Sequence, residues 1–262
     1  MRPRIKEMTR IYVPPELIQN NGVLLEGEEF RHLIQVLKMD LGEEVALLDG
    51  RCREYLGKIS AIGKDFVKMD IISELNLDTE PQVKVTLYHS LLKGEKYEWL
   101  IHKAVELGVA RIVPVISGRS ILREASRTKL KRWRHVAVSA ACVARRGVIP
   151  EVASPIPLKT ALDFLPPGEP ALFFWESASG DIQIWDFKEA LTEIRGETSF
   201  HLFVGPEGGF STDEVQLAAA AGARVVNLGP RTLKSETAGI AALSLVLFEM
   251  GEMSPKTEGF EK

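Results

Sequence analysis

The stretch from Leu202 to Ala242, LFVGPEGGFSTDEVQLAAAAGARVVNLGPRTLKSETAGIAA, constrains the fold more than any other part of the chain. It runs twice through one local plan: a short apolar run, a glycine-containing loop, then a helix. Phe200, Leu202, Phe203 and Val204 read as a buried strand, and GPEGG (Gly205 to Gly209) follows it. Ser211 and Glu214 then make the Ser-x-x-Glu pattern of a capping box, in which each side chain satisfies an otherwise free amide at a helix start. Val225 and Val226 form the second run, and LGPRTLKSET (Leu228 to Thr237) the second loop. The helix after it is apolar nearly all round. Paired strand-loop-helix units with glycine loops predict a binding site at the carboxyl edge of a parallel sheet.

Charge narrows what those loops hold. A glycine-rich turn at a helix amino terminus is a ready phosphate site, but Glu207 inside the first loop repels a phosphate in close contact. Neither GxxxxGK[ST] nor GxGxxG occurs. A ligand that joins an adenosine, which bonds to backbone groups, to a positive centre, which tolerates Glu207, fits better. S-adenosylmethionine is such a ligand. The plain alternative is a solvated loop carboxylate on an ordinary Gly-Pro turn.

The chain before these loops divides into two periods. Strand-like runs at Val23 to Leu25, Glu44 to Leu48, Arg53 to Ile59 and Phe66 to Ile72, punctuated by turns, predict a small barrel. A helix fits Glu28 to Leu37, with Phe30, Leu33, Ile34 and Leu37 on one face. The polar NLDTEPQ, Asn76 to Gln82, reads as a linker. From Val83, strands at Val83 to Tyr88, Arg111 to Ile116, Ala171 to Trp175, His201 to Val204 and Arg224 to Asn227 alternate with helices, the pattern of an α/β domain with a parallel sheet. Tyr97, Leu100, Ile101, Ala104 and Val105 mark one buried helical face. The last helix, Ala238 to Met250, carries only Ser244 and Glu249 as polar residues, so its own domain or a partner chain must cover every side.

Composition enters through charge. The net charge of −3 hides a segment from Arg111 to Arg146 with ten basic residues against one acid, Glu124, which leaves −12 on the rest. A basic segment on an acidic chain is the footprint of a binder of phosphate backbones, or simply a solvated helix face. The amino-terminal MRPRIKEMTRIYVPPE lacks an apolar core of signal-peptide length and the apolar run Ala238 to Phe248 is too short to span a bilayer, so a cytoplasmic protein without membrane attachment is expected. Cys52 and Cys142 lie far apart without metal-ligand spacing, so neither a disulfide framework nor a metal site is expected.

The pair GPEGGFSTDE and LGPRTLKSET resembles the signature of the bacterial 16S ribosomal RNA uracil-N(3) methyltransferases, the RsmE type within the SPOUT superfamily. HLIQVLKM with LLDG (His32 to Gly50), LLKGEKYEW with KAVELGV (Leu91 to Val109) and IPEV (Ile149 to Val152) extend the likeness along the chain. The resemblance implies a PUA-like β-barrel RNA-binding domain over residues 1–76, an α/β SPOUT methyltransferase domain with a carboxyl-terminal trefoil knot over 77–253, and a flexible tail over 254–262. It also implies a homodimer with S-adenosylmethionine held in the knot, and a uridine of 16S ribosomal RNA, in the small ribosomal subunit, as substrate.

On this reading the cofactor lies against Val204, Gly205, Pro206, Gly208 and Gly209 of the first loop and Asn227, Leu228, Gly229, Thr232, Leu233, Ser235 and Thr237 of the second. Methylating ring nitrogen 3 requires removal of an imide proton and attack on a sulfonium methyl. Glu207 and Glu236 are the candidate bases, and Arg231 the candidate stabiliser of negative charge on the carbonyl oxygens. Glu236 also stands in a first helical turn, where the dipole favours a carboxylate whatever the function. Arg10, Arg31, His32, Lys38, Lys93, Lys96, Arg119, Arg146 and Lys234 are expected to face RNA. The chain departs from the family pattern at Gln35 and Lys38, at Gly118 where a glutamate is usual, at Val143 and Ala144 in place of a Glu-Gln pair, and at Lys234 and Ser235. These changes keep open a second reading, a non-catalytic RNA-binding relative with the same fold.

Overall fold

In the computed structural model, which describes residues 8–19, 21–176 and 182–254, the chain divides into two units. One comprises Met1–Glu80 with Val138–Ile149, the other Pro81–Ala137 with Pro150–Lys262. Of the expected tail, all but Ser254 lies outside the described residues.

The first unit is a six-stranded sheet. Its strands are β1 (Arg10–Tyr12), β2 (Ile18–Gln19), β3 (Gly22–Glu26), β4 (Glu44–Leu48), β5 (Arg53–Ile62) and β6 (Phe66–Asn76), in the order β1-β4-β5-β6-β3-β2. Every pairing is antiparallel except β1 with β4. Alternation explains the strands: Val23 and Leu25 of β3, and Val67 and Met69 of β6, turn inward while their neighbours stay wet. The expected helix over Glu28 to Leu37 is a single α turn, α1 (Gly27–Phe30), passing into a π-helical stretch, Arg31–Val36. Phe30 and Leu33 are buried there, and Lys38 closes the segment in the left-handed conformation at φ 56°.

Residues 138–149, expected in the second domain, pack with this sheet, and the physical reason is a buried ion pair. The Arg146 side chain, 5% exposed, pairs with Glu80 from the expected linker. The same carboxylate accepts the amide protons of Gly147 at 2.9 Å and Val148 at 3.2 Å. Gly147 in turn accepts from the Cys52 amide at 2.8 Å. Arg146, expected to face RNA, is therefore spent inside the unit. Arg10 is too: its Nε donates to Glu54 at 2.5 Å, with both side chains 8% exposed. Burial pushes the Cys142 thiol up to about 11, far from a thiolate at neutral pH.

The second unit is built on a wholly parallel sheet. Its strands are β7 (Lys84–Ser90), β8 (Arg111–Ile116), β9 (Glu151–Val152), β10 (Ile156–Pro157), β11 (Ala171–Phe174), β12 (Ser199–Val204) and β13 (Arg224–Val226), ordered β10-β8-β7-β12-β11-β13, with β9 also on β8. The crossovers are α2 (Lys96–Leu107), α3 (Arg127–Val143), whose last residues belong to the first unit, α4 (Leu158–Asp163), α5 (Phe187–Glu193), α6 (Thr212–Ala220) and α7 (Ser235–Glu249). All five residues of the expected α2 face are buried, as is Trp133 of α3, while Lys131, Arg132, Arg134 and His135 are exposed. From β7 the chain moves outward through β8, then crosses back to β11, β12 and β13. The direction of winding thus reverses between neighbours β7 and β12, and a crevice opens at their carboxyl ends.

Helix α7 is covered on one side only. Gly239, Ala242, Leu243, Val246 and Leu247 are buried, whereas Leu245 is 43% and Phe248 68% exposed. No helix among the described residues is long and apolar enough to cross a membrane.

Removing the Glu80 carboxylate takes an ion-pair partner from a buried guanidinium. Glu80→Ala should destabilise the protein by about 3–5 kcal/mol in urea unfolding, and the double variant Glu80→Ala, Arg146→Met should recover part of that loss.

Candidate functional site

The loops that leave β11, β12 and β13 enclose a cavity of about 800 Å³, a size suited to a cofactor. Its floor is the first glycine loop. The capping box forms as expected: the Ser211 amide donates to Glu214 Oε2 at 2.8 Å, and the Glu214 amide to Ser211 Oγ at 3.3 Å. Gly209 takes φ 64°, a conformation glycine adopts without strain. At Gly205 a Cβ would stand 3.1 Å from the Phe210 ring, so a larger residue there would crowd that ring.

The second loop is joined to the first through a buried polar junction. The Ser235 hydroxyl, which keeps the oxygen of the usual threonine, donates to the Gly205 carbonyl. His89, at the end of β7 and fully buried, sets Nδ1 2.8 Å from the Ser90 carbonyl and Nε2 3.1 Å from that of Ser235. Tyr97 Oη donates to the His89 carbonyl at 3.3 Å. Burial pulls the His89 pKa below its ordinary value, against the two carbonyls and the Glu236 and Glu207 carboxylates that favour the charged ring. In the loop itself the Asn227 side chain accepts the Gly229 amide at 3.1 Å.

The three candidate catalytic residues all line the cavity. Lys96, expected to face RNA, does so as well, with Nζ 3.7 Å from Glu207 Oε1 and 3.8 Å from Glu236 Oε1. Glu236 Oε2 is buried and has no hydrogen-bond partner among the described residues. Arg231 makes no ion pair with a described residue, so its guanidinium is not spent on Glu236. Of the expected cofactor residues, Val204, Gly205, Pro206, Gly209, Asn227, Leu228, Gly229, Thr232, Leu233 and Ser235 line the cavity. Gly208 and Thr237 do not: both are exposed, and the Gly208 carbonyl accepts from Arg119 Nη1 at 2.9 Å. Arg119 therefore braces the first loop from outside.

Its neighbour Gly118 donates its amide to Glu214 Oε1 at 2.6 Å. Nothing in the structure explains glycine there in place of the usual glutamate. Among the other residues expected to face RNA, Lys93 and Lys234 of this unit, and Arg31, His32 and Lys38 of the first, are exposed.

The structure adds Phe174, Trp175, Glu176 and Phe210 to the cavity wall. The first three stand at the end of β11, between β12 and β13. Parallel neighbours bring their loops to one edge, and that rule was the available signal for them.

The neutral buried ring at His89 links stability to pH. The unfolded state, with the ordinary histidine value, binds a proton that the fold refuses. Stability from this group is complete above about pH 6.5 and is lost as pH falls below it. Unfolding free energy should therefore decline from pH 7 to pH 5 with a contribution of up to about 1.4 kcal/mol per pH unit, and His89→Gln should flatten the slope in urea titrations.

Comparison with known proteins agrees with this geometry. Residues 79–247 match the family model described as RNA methyltransferase domain, and residues 25–72 the one described as RNA methyltransferase PUA domain. Ribosomal RNA small subunit methyltransferase E of Bacillus subtilis (strain 168) is 28% identical over 228 residues, 86% of this chain and 89% of that one. Its counterpart in Mesomycoplasma hyopneumoniae (strain 232) is 34% identical over 180 residues, 68% and 75% of the two chains. The crystal structure of ribosomal RNA small subunit methyltransferase E from Neisseria gonorrhoeae, bound to S-adenosyl methionine, superimposes with a TM-score of 0.79 at 32% identity over 92% of this chain and 97% of that one. With its paired loops at the crevice of a parallel sheet and a PUA domain ahead of them, the chain belongs to the RNA methyltransferase domain family, in the group of ribosomal RNA small subunit methyltransferases E.

Proposed function

We propose that this chain methylates ring nitrogen 3 of a uridine in the 16S RNA of the small ribosomal subunit, with S-adenosylmethionine as methyl donor. The observation that carries the proposal is the juxtaposition of Glu207, Glu236, Lys96 and Arg231 in one cavity walled by two glycine loops. The residues fit the cofactor on their own chemistry: a partnerless buried carboxylate oxygen on Glu236, a positive centre tolerated by two carboxylates, and apolar walls from Phe174, Phe210 and Leu228. The cofactor, when bound, supplies an electrophilic methyl group.

The chain's own residues do the rest. A carboxylate of the Glu207 and Glu236 pair takes the imide proton, and Lys96 sets a positive charge between the two. Arg231 faces the negative charge that spreads over the uracil oxygens as the proton leaves. The exposed Arg31, His32 and Lys38 of the first unit and Lys93, Arg119 and Lys234 of the second hold the RNA by its phosphates, which sets register without reading sequence. The trefoil knot, the cytoplasmic location and the absence of a resident metal belong to the same reading.

A homodimer completes the proposal, supported by the apolar side of α7 left open at Leu245 and Phe248. Leu247 is not part of that side: it is buried in its own unit, where a charge would unfold rather than dissociate.

Mass spectrometry of 16S RNA from cells lacking the protein should show one uridine gaining a methyl group after incubation with protein and S-adenosylmethionine. RNA that stays unmodified, as naked RNA and as assembled subunit alike, would favour the non-catalytic relative. Glu236→Gln should slow methylation by about 10²-fold or more, the general-base contribution, with the protein still folded. Phe248→Glu should shift the sedimenting species from dimer to folded monomer. An unmodified protein that is monomeric at micromolar concentration would refute the dimer.

A further inference from the structure

The cavity holds a third carboxylate that the proposed chemistry does not use. Glu176 follows β11, lines the cavity and is exposed. It makes no hydrogen bond or ion pair with any described residue. Its Oε1 lies 2.9 Å from where a Cβ on Gly209 would be, which sets the carboxylate against the first glycine loop. Gly209 itself holds φ 64°.

The two sides of the cavity differ electrically. Toward β7, Glu207 and Glu236 share the ammonium of Lys96, and one Glu236 oxygen has no donor among the described residues. That side carries excess negative charge and suits the cationic end of a ligand. Toward β11 and β13 stand Trp175, buried, and the lone Glu176, with Asn227 and Leu228 of the second loop nearby on the wall. A carboxylate whose two oxygens have no hydrogen-bond partner among the described residues is the side chain best built to accept two vicinal hydroxyl groups, since it accepts without itself having to donate.

We infer that Glu176 recognises the ribose diol of the cofactor, taking hydrogen bonds from its 2′- and 3′-hydroxyl groups, and so is a specificity-determining residue for the nucleoside end of the ligand. This rests on S-adenosylmethionine being the cofactor. It assigns an orientation: sugar over the GPEGG loop beside β11, sulfonium and ammonium toward Lys96, Glu207 and Glu236.

Calorimetry with the full chain tests the assignment, using S-adenosylhomocysteine, its 2′-deoxy and 3′-deoxy counterparts, and its counterpart lacking the amino group. The unmodified protein should bind the deoxy ligands about ten- to a hundredfold more weakly than the parent, as expected for a hydrogen bond to a charged group. Glu176→Ala should weaken the parent by a similar factor and bind parent and deoxy ligands alike, within about twofold. It should still discriminate against the ligand without the amino group. Glu176→Gln, which keeps one acceptor oxygen, should fall between. All variants should melt with the unmodified protein, because the side chain is exposed. A Glu176→Ala protein that still prefers the parent over the deoxy ligands, or one whose loss follows the amino group instead, overturns the inference while leaving the cofactor reading intact. A folded unmodified protein that binds neither S-adenosylhomocysteine nor S-adenosylmethionine overturns the cofactor reading, and this inference with it.

Discussion

The geometry of the site depends on one buried polar junction. His89, Ser235 and Gly205 come from β7, α7 and the loop after β12, distant in sequence, and meet through the Ser235 hydroxyl and the imidazole ring, whose single N–H when neutral serves one of the two carbonyls it faces. Gly239 admits the ring: a Cβ there would lie 2.8 Å from His89 Cδ2. Without this close approach α7 would stand off the sheet, and Glu236, one residue into its first turn, would leave the neighbourhood of Glu207 and Lys96. Polar groups at such a depth are costly unless satisfied, which makes the junction selective for a single arrangement of the two loops.

Much of this was legible in the residues because local rules suffice for local structure. The spacing of Tyr97, Leu100, Ile101, Ala104 and Val105 specified both the existence and the inner face of α2. Ser211 and Glu214 marked the start of α6 because a capping box is satisfied within four residues. The strands β9 and β10 were not legible, since two residues carry no period. The π-helical stretch escaped because Phe30 and Leu33 point inward equally in an α-helix.

Charge was the less readable quantity. Arg10 and Arg146 look like surface cations in sequence, yet each is paired inside the first unit with a carboxylate far along the chain, Glu54 and Glu80. Lys96, expected to face RNA, also stands 3.7 Å from Glu207 and 3.8 Å from Glu236 in the cavity. Glu176 carried no motif at all. In each case the sign of the charge is local information, but its partner is set by topology.

The first unit is discontinuous: it takes up residues 138–149 after the chain has already entered the second sheet. An emerging chain therefore holds the six strands of the first unit well before the segment that brings Arg146 to Glu80. With synthesis at about 5–20 residues per second, the interval between Glu80 and Ile149 amounts to roughly 3–14 seconds. During that time Glu80 lacks Arg146 and the Cys52 amide lacks the Gly147 carbonyl, and the usual order, first domain finished before the second begins, does not apply. A ribosome that stalls between these two points would carry the whole six-stranded sheet without the segment that packs with it, which makes this window the one in which a chaperone has most to protect.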